Sequence, residues 1–222
     1  MASESLHISN NQMACGETIN ICVGNDSFTI HENLIKESSP FLCSLLRRKK
    51  PGDTYVLNIP EEYNTAVQFY ANWVYRRVIP SAAGSELELR KESMTLAKAY
   101  VVGKRFEDSG FQNAVVDRVI ERAKGTFDKK QILPDAEAIQ FTYQNVKKCS
   151  KFKVLLVDLY ASHAISGYFC KPASSKYPKL FLIEVLSAVA DMQFTGRMSP
   201  TNGSKKNACE RYHHHSSDAA YC

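Results

Sequence analysis

The chain has 222 residues, of which 44% are hydrophobic, and a formal net charge of +5. That is enough apolar material for a real core, which excludes a fibrous or wholly disordered chain, and so mild a charge tunes solubility and encounter rather than fold. No cationic start leads into a continuous apolar run and no window approaches a membrane span, so neither a secretory leader nor a membrane anchor is expected.

The seven cysteines are an odd number. They lack a C-x-x-C pair or regular spacing and read as scattered small apolar residues in a reducing compartment, cytoplasmic or nuclear, rather than as a disulfide framework.

Residues 1–16 are polar and are expected to be flexible. Ile19, Ile21 and Val23 then alternate with Asn20 and Cys22, the period of a strand with one buried face. Gly24-Asn25-Asp26 supplies turn chemistry, and Phe28 and Ile30 continue the alternation up to His31, which predicts a hairpin. From Glu32 the period changes to helical. Leu34 and Ile35 give one edge of a short helix, Ser38 or Ser39 caps the next, and Pro40 sits near its first position, where a missing N–H costs nothing. Phe41, Leu42, Leu45 and Leu46 follow before a basic run and the breaker Pro51-Gly52-Asp53. Tyr55, Leu57 and Ile59 predict a third strand closed by Pro60.

The rest reads as helical. A stripe at Tyr63, Ala66, Val67, Tyr70, Trp73 and Val74 predicts a helix over 62–75, with Trp73 its largest buried anchor. A second spans 86–102 with Leu89, Leu96, Ala97, Tyr100 and Val101 inward, and Gly103 suits its carboxyl end. A third carries Phe111, Ala114, Val115, Val119 and Ile120 and stops at Gly125. Ile139, Tyr143 and Val146, then Phe152, Leu155, Leu156 and Leu159, predict a helical hairpin. After a linker over 167–179, a last helix carries Phe181, Val185, Ala188 and Met192 on one face, and residues 196–222 read as a disordered tail.

This order of elements resembles that of a BTB (POZ) domain. The resemblance rests on Ile21-Cys22-Val23-Gly24, Phe28-Thr29-Ile30-His31, Leu34-Ile35, Ser39-Pro40-Phe41, Leu57-Asn58-Ile59-Pro60 and Trp73-Val74-Tyr75, and it spans 18–124. The later helices, above all Leu155-Leu156-Val157-Asp158-Leu159-Tyr160, look like the extension found in BTB proteins of filamentous fungi. The resemblance implies an α+β fold in which a small sheet with a surrounding helix cluster occupies 17–125 and an all-helical extension follows over 126–195. It also implies a non-enzymatic protein-interaction module with a protein partner. Such a module either forms a homodimer or serves as a scaffold or adaptor, the alternatives being a substrate adaptor of a cullin-type ubiquitin ligase and, ranked below it, a nucleic-acid-associated transcriptional regulator. Phe28, His31, Ser39, Pro40, Phe41, Trp73 and Tyr75 are its structural marks.

Two departures narrow that reading. Where cullin-binding members place a hydrophobic-x-Glu motif, this chain has Leu46-Arg47-Arg48, a cation in place of the carboxylate. Leu46, Arg47, Arg48 and Lys49 are therefore the candidate interaction surface. The family's usual Asp before the first strand is replaced by Glu17-Thr18.

Nucleotide-binding, nucleophile-elbow and zinc-hydrolase motifs are absent, so no catalytic residue, cofactor or metal is assigned. His31 reads as a structural hydrogen-bonding residue and His163 as partly buried core, and neither has a partner visible in the sequence. Cys43 and Cys170 show no spacing that brings them to a histidine. His213-His214-His215 with Cys209 and Cys222 has soft-metal chemistry, but an unstructured tail would lose the whole ordering entropy on binding, so no metal site is assigned. The basic clusters Arg47-Arg48-Lys49-Lys50, Arg76-Arg77 and Lys147-Lys148 read first as solvated helix ends, with a nucleic-acid surface as the lesser alternative.

Overall fold

A computed structural model describes residues 16–36, 38–48, 55–80, 86–125, 132–163, 176–195, 199–202 and 205–215. Strand β1 (Thr18–Val23) turns through Gly24, whose φ of +59° only glycine adopts freely, into β2 (Asp26–His31). The two pair antiparallel, with Ile21 opposite Phe28. Strand β3 (Tyr55–Ile59) pairs parallel to the other side of β1, giving the order β2-β1-β3. The central strand therefore buries the most: Ile19, Ile21 and Val23 are wholly inaccessible. A parallel partner needs a crossover, and the two short helices α1 (Glu32–Ile35) and α2 (Pro40–Arg47) lie within it.

The cap of α2 is Ser39, whose Oγ accepts the Leu42 N–H at 3.1 Å, with Pro40 at the first helical position. After a 3₁₀ turn at Glu61–Tyr63, helix α3 (Asn64–Arg76) buries Ala66, Val67, Tyr70, Trp73 and Val74, the expected stripe. It ends at Arg77, a left-handed residue at φ 54° whose N–H returns to the Trp73 carbonyl at 2.7 Å. Helix α4 (Glu86–Arg105) packs against α3, α5 (Ser109–Lys124) and α6 (Ala136–Asn145).

Gly103 is not the carboxyl cap of α4 but lies inside it. A Cβ there would stand 2.8 Å from Gln112 Cγ and 2.9 Å from Phe111 Cδ1, so the glycine serves the close approach of α5. The cap expected at Gly125 is present, at φ +70°. Asp108 and Asp135 cap α5 and α6, accepting from Phe111 N at 2.8 Å and Ala138 N at 2.9 Å.

The later helices join the same core. Tyr100 of α4 stacks on Phe152 of α7 (Lys151–His163), ring centroids 4.3 Å apart. On α8 (Lys179–Thr195), Phe181, Val185 and Ala188 are buried and Met192 is half-buried, the expected face, and α8 packs on α7. Buried side chains run without a break from the sheet to α8, so the extension shares one core with the α/β part.

The reading of 196–222 as a disordered tail is corrected for its described residues. Helix α9 (Lys205–Tyr212) packs on α7, with Cys209, Tyr212 and His213 buried. Three buried side chains in so polar a segment make no periodic apolar pattern. The segment is held by polar bonds to distant residues: Arg211 Nε and Tyr212 Oη both donate to Asp158 Oδ2, at 2.7 and 2.8 Å. Cys209 is disulfide-bonded, whereas Cys22, Cys43 and Cys149 are free. Among the described residues, the expectation that the cysteines are reduced is corrected at Cys209. Among the described residues no helix is long and apolar enough to cross a membrane.

Candidate interaction surface

The strand-to-helix corner at residues 28–42 is built from four anchors. The first is Tyr75, in the last turn of α3. Its hydroxyl lies 2.6 Å from His31 Nδ1, accepts the His31 backbone N–H at 3.3 Å, and donates to the Thr29 carbonyl at 3.3 Å. The rings meet edge to face at 5.9 Å. His31 thus ties β2 to α3 and does have a partner, one that lies too far along the chain to be read from local spacing.

The second anchor is Ser39, which is fully buried and also donates its hydroxyl to the Phe106 carbonyl beyond α4. The third is Trp73, with Tyr70 at 6.3 Å, Phe111 at 5.6 Å and the Arg77 guanidinium 4.3 Å above its ring. Such an aromatic cluster with a cation on its outer face contributes on the order of 1 kcal/mol beyond area burial. Phe28 and Phe41 are the fourth, half-buried against the core, while Pro40 is exposed.

At the far end of α2 the predicted surface divides. Leu46 is buried, so it belongs to the core and not to the surface. Arg47 and Arg48 are exposed, and Lys49 lies outside the described residues. Two guanidinia therefore face solvent at the carboxyl end of α2.

The sequence reading missed a second exposed feature, on α8. Opposite its buried face stand Leu180, Ile183, Leu186 and Phe194, with Ile183 62%, Leu186 71% and Phe194 89% accessible. The signal was legible in Leu180-Phe181-Leu182-Ile183, which is apolar around the whole helix rather than on one stripe.

The groups considered for chemistry have structural partners. Half-buried His163 is bonded through Nδ1 to Ser162 Oγ at 2.7 Å and through Nε2 to Thr201 Oγ1 at 2.5 Å, a polar tie to the segment before α9. Cys43 Sγ donates to the carbonyls of Lys36 at 3.2 Å and Ile35 at 3.5 Å, and burial pushes its thiol up. Cys170 lies outside the described residues. An open cleft of about 510 Å³ is lined by Glu137, Gln140, Tyr143, Lys176 and Tyr177. The Tyr143 hydroxyl donates to Glu184 Oε2, and Lys153 Nζ lies 4.5 Å from the Tyr143 ring centroid and donates to its carbonyl at 3.3 Å. Burial pushes the Tyr143 phenol up and the Lys153 amine down.

A buried ion trio clamps α4 to α5. Glu92 receives Arg118 Nε at 3.3 Å on one oxygen and Arg122 at 2.6 Å on the other. Removing the carboxylate would leave two buried cations without their shared anion. In comparisons with known proteins, the sequence matches no family model and no curated protein.

Proposed function

We propose that this chain is a non-enzymatic protein-interaction module of the BTB type, which self-associates or recruits a protein partner through its α/β part. The observation that carries the reading is the corner at 28–42, where β2 runs directly into α1 and α2 and is closed by Tyr75 on His31. It brings together residues on which the resemblance rests and sits in a sheet whose third strand returns parallel to the first. The helical extension packs on the same core and adds the exposed apolar residues of α8, a composition that favours protein contact. The cullin-adaptor reading ranks second, because exposed Arg47 and Arg48 stand where it needs a carboxylate.

Mass measurement by light scattering on the purified chain, across a wide concentration range, tests self-association. Pull-down with purified cullin amino-terminal domains, using native chain and an Arg47→Glu/Arg48→Glu variant, tests the ranking. A concentration-dependent dimer without cullin binding supports the reading. Tight cullin binding by the native chain would promote the adaptor. A chain that stays monomeric and captures no partner from native extract overturns both.

A further inference from the structure

We propose that Cys209, His213 and His215 form a zinc-class metal site that opens when the Cys209 disulfide is reduced. One ligand atom from each of the three residues converges within 4.8 Å of the others. Cys209 Sγ and His215 Nε2 are 3.4 Å apart. Bond lengths of about 2.3 Å to sulfur and 2.0–2.1 Å to nitrogen place tetrahedral zinc ligands roughly 3.5 Å apart, so this pair already has the required separation. Cys209 and His213 follow one another by a single helical turn, with the His213 N–H on the Cys209 carbonyl at 3.0 Å. His213 Nε2 is 2.8 Å from Asp117 Oδ1 on α5. A carboxylate on one ring nitrogen fixes the ring and makes the other, Nδ1, the ligand, the usual support of a metal-bound histidine.

The objection that a loose tail loses its ordering entropy on binding does not apply to this segment. The backbone of His214 is gripped at both ends by Asn113, N to Oδ1 at 2.8 Å and O to Nδ2 at 2.9 Å. Its ring is 2.8 Å from the Tyr100 hydroxyl. Lys151 Nζ donates to the carbonyls of Glu210, at 3.2 Å, and His213. The polypeptide is therefore preorganised on α4, α5 and α7 before any ion arrives. Thiolate with two imidazoles selects zinc over harder cations, and three protein ligands leave a fourth position for water.

The disulfide and the metal compete for one sulfur. A dithiol reductant supplies two electrons and two protons: the Cys209 S–S bond breaks, its two sulfurs become thiols, and the reductant closes its own S–S bond. Zinc then displaces the proton from Cys209 Sγ.

The test uses the full chain, reduced with a phosphine or kept oxidised, titrated with Co²⁺ as a spectroscopic probe and with Zn²⁺ in competition. The expected result is one equivalent bound by the reduced chain, with a sulfur-to-cobalt charge-transfer band absent from the oxidised chain. Cys209→Ser should abolish the band, and Asp117→Asn should weaken binding about 10- to 100-fold. Far-UV circular dichroism on each variant separates loss of a ligand from loss of fold, and half-buried His215→Gln gives a second, milder variant expected to lose at least about 10-fold in affinity. No uptake by the reduced chain, equal uptake by the oxidised chain, or a band that survives Cys209→Ser would each overturn the proposal.

Discussion

Tyr75 Oη lies 2.6 Å from Nδ1 of His31, joining the last turn of α3 to the end of β2 across 44 residues of sequence. The hydroxyl has three polar neighbours at a half-exposed site, so water replaces part of what is lost when it is removed. Tyr75→Phe keeps the ring and should cost about 1 kcal/mol, the net value of such a hydrogen bond. Urea unfolding measures it, and a midpoint unchanged from the native chain would mean the hydroxyl only decorates the corner.

Gly103 lies in the last turn of α4, a helical position where alanine would ordinarily gain up to about 1 kcal/mol. Here the added methyl would meet Gln112 Cγ and Phe111 Cδ1 at under 3 Å, and Phe111 is fully buried among Tyr70 and Trp73. Overpacking of that kind costs roughly 1–3 kcal/mol. Gly103→Ala should therefore lower the unfolding midpoint, and a more stable variant would show that α4 and α5 separate without penalty.

Gly103 also shows where sequence reading stops. The hairpin, a serine cap at Ser38 or Ser39, the α3 stripe and the buried face of α8 were legible because local spacing decides them. Gly103 looked like a terminator because a glycine near the end of an apolar pattern commonly is one. What makes it interior is the approach of α5, a tertiary fact. The partner of His31, the trio of Glu92 with Arg118 and Arg122, and the docking of α9 through Asp158 were hidden for the same reason. Polar pairing between distant residues leaves no period in the sequence.

Asp108 caps α5 and also receives the Tyr70 hydroxyl at 3.2 Å. Burial pushes its carboxyl above the ordinary range, against the opposing pull of the Phe111 N–H and Tyr70. A group with a raised folded pKa holds its proton more tightly when folded. Its contribution to stability is complete below the unfolded pKa, near about 4, and is lost as pH rises through the folded value. Asp108→Asn keeps an acceptor at the cap and removes this titration, so the stability of the native chain minus that of the variant should fall as pH rises from the acid side. Asp108→Ala should lose a further ~1 kcal/mol of capping. Urea midpoints over a pH series read both effects, and a difference that grows with pH would reverse the assignment.

The free thiols separate the interaction reading from an enzyme. A nucleophilic cysteine needs a nearby base or cation to hold its thiolate at neutral pH. Cys43 instead directs its sulfur to the carbonyls of Ile35 and Lys36, and burial raises its pKa although Arg47 pulls the other way. Cys149 is exposed. Alkylation by iodoacetamide, followed by peptide mass spectrometry over time, should modify Cys149 first and Cys43 later, with the lag shortening as pH is raised. A Cys43 that labels ahead of Cys149 at neutral pH would mean an activated thiolate, and the corner beside it would then have to be reread as a catalytic one.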